Sequence, residues 1–209
     1  MPRYSRALLA RARKIKLLLM DVDGVMTDGK IYYVPGAGGE LLETKGFDSH
    51  DGMGLRFAHY GGITTGIITG RSSPAITARA RDLGIRFLEQ NFLEKLAPYE
   101  KIRAAAGVDD AEVCFIGDDI TDLPLVARVG LGVAVANASA FLRRHAHFCT
   151  HRPGGQGAVR ETIELILTAQ GKWQGILESY RRGDGTLRLR AEAAPSPSSL
   201  LPRLRGAGS

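Results

Sequence analysis

Leu17-Leu18-Leu19-Met20-Asp21-Val22-Asp23-Gly24-Val25-Met26-Thr27-Asp28-Gly29 is the stretch on which the reading of this chain turns. A short apolar run stops at two carboxylates spaced by one residue, and a glycine follows. Such a run, bounded by a turn signal, reads as a strand buried on both faces of a parallel sheet. Charge is costly inside a strand of that kind. Asp21 and Asp23 are therefore expected at its C-terminal end, where open α/β sheets form their ligand crevice. Residues two apart in an extended segment point the same way. Two converging carboxylates can hold a hard cation and still present an oxygen for chemistry.

Outward from that strand, apolar runs alternate with helical spacing. Strands are expected over 15–20, 63–68, 85–88, 113–116, 131–135 and 148–149. Helices are expected over 50–60, from the Ser72-Ser73-Pro74 start to Leu83, and over 93–106, 121–129, 138–145 and 158–169. A hydroxyl cap followed by proline in the first turn marks a helix start. The alternation predicts an α/β fold, a doubly wound, mostly parallel Rossmann-like sheet. A β-hairpin flap over about residues 30–45, turning at Pro35-Gly36-Ala37-Gly38-Gly39, interrupts the first strand-to-helix connection. Two strands alone are marginal in water and have open edges, so a second subunit is expected to cover them.

Domain organisation follows from composition. Residues 1–13 read as a basic N-terminal extension with a short helix over 4–13, residues 14–172 as one domain, and 173–209 as a largely disordered tail in which Trp173 and Tyr180 anchor the chain end. Hydrophobic content of 44% and charged content of 24% suit an ordinary globular domain. Residues 1–16 hold six cations and no acid, and 181–209 hold six arginines against two acids, leaving the middle at −4 within a total of +6. The basic excess thus belongs to the ends, and no basic face for nucleic acid is expected on the domain. No apolar stretch approaches the ~20 residues of a membrane helix. Cys114 and Cys149, without CxxC spacing, read as core thiols of a reduced compartment, and the chain as cytoplasmic.

Three strand ends carry chemistry: Asp21 and Asp23, then Ile68-Thr69-Gly70-Arg71, then Gly117-Asp118-Asp119-Ile120-Thr121-Asp122-Leu123-Pro124. Lys95 falls near a helix start between the second and third. This ordered set resembles the haloacid-dehalogenase-like phosphatase superfamily over residues 15–170. The segments 46–52, 68–71, 117–124, 154–161 and 169–172 are similar to the capless branch that hydrolyses 3-deoxy-manno-octulosonate 8-phosphate (KDO 8-phosphate), with the hairpin in place of a cap. His50 stands where that branch usually has arginine, and the tail beyond Lys172 is longer than usual.

The resemblance implies a magnesium-dependent phosphatase of lipopolysaccharide inner-core biosynthesis. It implies Asp21 as the nucleophile that forms an aspartyl-phosphate. Asp23 is then metal ligand through its carbonyl and general acid and base through its side chain. Asp118 completes the metal ligands, and Asp119 and Asp122 orient waters or Lys95 from behind. Thr69 and Gly70 bind phosphate, and Lys95 neutralises charge. Arg71, His50 and Arg160 are expected to grip the carboxylate or phosphate of a small sugar-acid phosphate. With no cap, neighbouring subunits of a homotetramer are expected to wall the site. Asp28 and Asp51 are expected to serve as turn and cap residues, and His145, His147 and His151 lack metal-ligand spacing. Two other readings are a phosphatase of nine-carbon sugar-acid phosphates and a non-enzymatic phospho-aspartate signalling domain; Arg71, where some nine-carbon relatives carry an acid, favours the eight-carbon substrate.

Overall fold

The computed structural model describes residues 4–183. Its centre is β1 (Leu17–Met20), whose four residues are all buried. On one side β1 pairs in parallel with β4 (Thr64–Ile68), and on the other with β6 (Val113–Gly117). Leu17 faces Thr64 across one ladder and Val113 across the other. Beyond β4 lies β5 (Phe87–Glu89); beyond β6 lie β7 (Leu131–Ala134) and β8 (Phe148–Cys149). The six strands are all parallel, in the order β5-β4-β1-β6-β7-β8. The chain builds one half outward from β1, then returns to build the other. The order reverses beside β1, so the ligand crevice of an open sheet opens at the C-terminal ends of β1 and β6.

The crossovers are helical. After α1 (Arg6–Ala12), the chain forms α2 (Ser49–Tyr60), α3 (Pro74–Leu83), α4 (Leu96–Ala106), α5 (Leu123–Val126), α6 (Ala140–His145) and α7 (Ala158–Ala169). Pro74 opens α3 behind the Ser73 cap, and Gly84 closes it in the left-handed region at φ +69°. The helix α2 packs along α7, which also meets α1. The separate hairpin of β2 (Tyr32–Pro35) and β3 (Leu41–Thr44) is antiparallel and pairs with no other strand among the described residues. It lies open to solvent, with Tyr33 57% and Leu41 68% exposed.

Three boundaries differ from the sequence expectation. The helix expected from residue 93 begins at Leu96, because Asn91 takes φ +66° and the Phe92 amide bonds to the Thr69 carbonyl, making a turn of residues 91–94. The helix expected over 121–129 is a 3-10 turn, Ile120–Asp122, followed by the single turn of α5. The Asp122 carboxylate bonds back to the Asp118 and Asp119 amides and tightens that turn. Finally, the tail expected from residue 173 starts with a helix, α8 (Trp173–Arg181), which packs on α7. Trp173 and Ile176 are buried, and Trp173 and Tyr180 each meet the edge of Phe57 at 5.6 Å between centroids. Two aromatic anchors and a buried isoleucine outweigh the weak helix preference of the segment. The rest of the expected tail, 184–209, lies outside the described residues.

Candidate active site

Asp21 continues β1 by one residue: its amide bonds to the Ile116 carbonyl of β6 at 3.1 Å. The loop after it then closes on itself. The amides of Val25, Met26 and Thr27 all donate to the Val22 carbonyl. Within this loop Gly24 holds φ +86°, and a Cβ on it would stand 2.1 Å from Asp118 Oδ2. The glycine after the two carboxylates therefore serves close approach. It lets the β1 loop sit against the carboxylate at the end of β6.

Asp21 Oδ1 accepts the Val22 amide at 2.6 Å, and Oδ2 accepts Lys95 Nζ at 2.5 Å. Lys95, at the N-cap of α4, also donates to Asp122 Oδ1 at 2.5 Å. The other oxygen of Asp122 accepts the Asp118 amide at 2.9 Å. Asp122 is fully buried, so its charge is held by one ammonium and two backbone N–H groups. Asp118 differs: no hydrogen bond reaches its carboxylate among the described residues, although its main chain bonds to Asp122 and Ser139.

One carboxylate oxygen from each of Asp21, Asp118 and Asp122 can be found within 4.8 Å of the others. Three acids face one lysine there. Burial, then the neighbouring charges of Asp122 and Asp21, push the Asp118 carboxyl up to about 7. Burial likewise raises Asp21 above the usual carboxylate range, although Lys95 opposes it. Burial alone would lower Lys95, but the two carboxylates it touches outweigh this and hold it above its ordinary value. An all-oxygen donor set short of positive charge, with one acid free of hydrogen bonds, fits a hard divalent ion such as magnesium.

Thr69 ends β4 beside this cluster; it is buried, and its Oγ1 accepts the Arg71 amide at 3.4 Å. Leu93 lies over Gly70, with its Cδ2 2.7 Å from where a Cβ would be. Arg71 reaches across to the hairpin and pairs with Glu43, while its Nε is 3.8 Å from Asp23 Oδ2.

Not every expected residue joins the group. Asp119 is exposed, and its carboxylate caps the 3-10 turn by accepting the Ile120 amide at 2.8 Å. It makes no hydrogen bond to Lys95 among the described residues, whereas Asp122 does. His50 is 75% exposed, with Nδ1 3.0 Å from Asp48 Oδ1 at the start of α2. The Arg160 guanidinium lies over Phe57 at 4.5 Å and Trp173 at 5.2 Å, and its Nε binds Glu164 at 2.5 Å. Two aromatic faces and an acid on its own helix claim that guanidinium. His50 and Arg160 share a small cleft with Arg152 and Glu164 that includes none of the clustered carboxylates. The structure thus places both in a cleft beside the start of α7 and does not bring them together with the clustered carboxylates.

One buried cation beside Asp23 lies outside the sequence motifs. Lys45, just after β3, has a side chain only 1% exposed and donates to Asp23 Oδ1 at 2.5 Å. The available signal was strand alternation: Glu43 and Lys45, two apart, share a face of the hairpin. Asp28 sits where a turn residue should, accepting the Lys30 amide and the Tyr32 hydroxyl. Asp51 serves as a cap: it accepts the Gly157 and Arg160 amides at the start of α7. No helix among the described residues is long and apolar enough to cross a membrane.

Comparison with known proteins bears on this geometry. A family profile described as haloacid dehalogenase-like hydrolase matches residues 87–161. The chain is 45% identical over 167 residues to the 3-deoxy-D-manno-octulosonate 8-phosphate phosphatase KdsC of Yersinia pestis, across 80% of this chain and 87% of that protein. The crystal structure of the Yersinia pestis phosphatase is similar with a TM-score of 0.78 at 44% identity, covering 82% of this chain and 91% of that one. The phosphatase from Moraxella catarrhalis, in complex with a magnesium ion, a phosphate ion and KDO, gives a TM-score of 0.80 at 37% identity, covering 85% and 99%.

Proposed function

This chain belongs to the haloacid dehalogenase-like hydrolases, in the family of the KDO 8-phosphate phosphatases, and from that premise we propose that it hydrolyses KDO 8-phosphate to KDO and phosphate with magnesium as cofactor. The observation that carries the reading is the cluster of Asp21, Asp122 and half-buried Asp118 at the switch point of the sheet, with the buried Lys95 joining the first two. The reaction belongs to lipopolysaccharide inner-core biosynthesis.

The chemistry follows from charge. A carboxylate approaching a phosphate dianion meets repulsion of about 4 kcal/mol per charge pair at roughly 4 Å and an effective dielectric near 20, so about 8 kcal/mol in total. The carboxylates of Asp21 and Asp118 and the main-chain carbonyl of Asp23 would hold magnesium, which when bound supplies the positive charge that offsets this repulsion. Lys95 steadies Asp21 Oδ2 and adds a second cation. Asp21 attacks phosphorus in line and becomes an aspartyl-phosphate. Asp23 passes a proton to the departing sugar oxygen, and afterwards takes one from the water that cleaves the acyl phosphate. Thr69 and the Gly70 amide bind phosphate oxygens. Arg71, exposed beside the acid, is placed to meet the sugar-acid carboxylate, which suits a planar guanidinium.

The assembled enzyme is a homotetramer in this reading. The hairpin's solvent-facing Ile31, Tyr33, Val34, Leu41 and Leu42 support it, since an apolar two-stranded edge is unstable alone. A neighbouring hairpin then walls the open site. The free thiols of Cys114 and Cys149 accord with a cytoplasmic location. The deciding experiment is phosphate release by purified protein with magnesium from a panel of sugar-acid phosphates. KDO 8-phosphate should be turned over fastest. Faster turnover of a nine-carbon 9-phosphate would move the substrate, and a stable acyl phosphate without turnover would move the class.

A further inference from the structure

We infer that Lys45, carried by the hairpin flap, is a positioning residue that aims the carboxyl group of Asp23 for proton delivery to the leaving sugar oxygen. This rests on the phosphatase reading above and adds to it a residue from outside the four strand-end motifs.

Most of the hairpin is open to solvent, yet the Lys45 side chain at its foot is 1% exposed. Burying an ammonium is costly unless carboxylates meet it. Two do: Asp23 Oδ1 at 2.5 Å and Glu43 Oε1 at 3.0 Å. Glu43 is held in turn by Arg71 at the end of β4, and Arg71 Nε comes back to 3.8 Å from Asp23 Oδ2. The four charges alternate in sign around a closed circuit. Two members come from the flap and two from the ends of β1 and β4. The flap is thereby fastened to the acid rather than merely lying near it.

The circuit treats the two oxygens of Asp23 differently. Oδ1 is occupied by Lys45. Oδ2 is buried and accepts no hydrogen bond among the described residues. A buried carboxylate oxygen with no hydrogen bond, and only Arg71 Nε at 3.8 Å, demands an explanation. Here it is the oxygen that Lys45 does not hold, and so the one placed to face the leaving group. In the first step the proton on Oδ2 moves to the bridging oxygen. The bond from phosphorus to that oxygen breaks, its electron pair stays on the sugar, and a bond from phosphorus to Asp21 forms. In the second step a water oxygen bonds to phosphorus, the bond to Asp21 breaks, and the water's proton returns to Oδ2. Lys45 touches neither phosphorus nor the leaving group in this scheme. It acts by keeping Oδ1 occupied and the carboxyl plane fixed, since a side chain free to rotate about χ1 and χ2 would spend much of its time misaimed.

The test is dependence on the leaving group. Full-length wild type, Lys45→Met, Asp23→Asn and the double variant are assayed with magnesium on KDO 8-phosphate, phenyl phosphate and 4-nitrophenyl phosphate. An alkoxide needs a proton to depart, whereas 4-nitrophenolate does not. In the first turnover, before the acyl phosphate is hydrolysed, Lys45→Met should release the sugar about a hundredfold more slowly than wild type, the low end of what a general acid contributes. Its loss on 4-nitrophenyl phosphate should be only about threefold, with phenyl phosphate between. On the sugar phosphate the double variant should be no slower than Asp23→Asn alone, because the two residues act as one unit. Equal losses on all three esters, or losses that multiply in the double variant, would overturn the inference. A raised KM confined to the sugar acid, with kcat intact, would also overturn it and make Lys45 a substrate ligand. Wild type that releases phosphate from none of the esters would instead remove the phosphatase reading itself.

Discussion

Lys95 Nζ sits 2.5 Å from Asp21 Oδ2 although the two residues are 74 positions apart in the chain. The same nitrogen reaches Asp122, so a single buried ammonium serves the candidate nucleophile and the acid behind it. Replacing it by methionine leaves two buried carboxylates facing each other. Lys95→Met should lose at least about a hundredfold in phosphate release and about 3 kcal/mol in stability, the range for breaking a buried pair. Urea unfolding beside a phosphate assay measures both. Full activity with wild-type stability would remove Lys95 from the site.

Asp21→Asn keeps one oxygen, enough for either Lys95 or the Val22 amide, and removes one of three crowded carboxylates, so the fold should survive. Hydrolysis of KDO 8-phosphate should fall to the assay background, since a carboxamide is a poor nucleophile. Circular dichroism and phosphate release decide it together. A folded variant that still turns over would transfer the nucleophile to another acid.

Gly24→Ala tests the seating of the β1 loop on Asp118. The added Cβ would meet Asp118 Oδ2 at 2.1 Å, and φ +86° is strained for any L side chain. The loop or the carboxylate has to shift. Magnesium affinity, followed by calorimetric titration, should weaken about tenfold or more, and unchanged affinity would show that the close approach is not needed.

Asp51 bears on stability rather than catalysis. Burial pushes its carboxyl up to about 6, against the two amides of α7 that favour the charged form. A carboxyl raised on folding binds more protons folded than unfolded between about pH 4 and 6. Its contribution is therefore full below the unfolded value and is lost as pH rises through about 6, roughly 3 kcal/mol for a shift of this size. Asp51→Asn should flatten the pH dependence of unfolding free energy in that window. An unchanged slope in urea titrations at pH 4, 5 and 6 would assign it elsewhere.

The hairpin makes the last prediction. Leu41 is 68% exposed in the protomer, so Leu41→Glu should leave the protomer folded. In the tetramer reading it should shift sedimentation toward smaller species and lower activity in parallel. An unchanged sedimentation coefficient would place the assembly contact on another surface.

Much of this molecule is legible locally. The strands around β1 show as short apolar runs because each is buried on both faces, and their charged ends show as abrupt stops. Helix α8 was missed although Trp173, Ile176 and Tyr180 follow helical spacing; nine residues are too few for the pattern to stand out beside a basic, glycine-rich continuation. The start of α4 was misplaced by three residues because the turn at Asn91 is held by a bond to Thr69 on another strand. No local pattern places the Arg160 guanidinium over Phe57 of α2 and Trp173 of α8, since both contacts are made between helices.

What the chain alone determined is which residues end strands, since burial and alternation act between near neighbours and write themselves into the order of residues: Asp21, Thr69 and Asp118 were readable on that ground. What only the tertiary structure decided is which of the remaining charges meet them. Lys95 reaches Asp21 and Asp122, Lys45 folds back onto Asp23, and Arg160 goes to Phe57. Coulombic and hydrogen-bond contacts act over a few ångströms in space whatever the separation along the chain. Their partners are chosen by strand order and by the lie of the flap, neither of which any local pattern records.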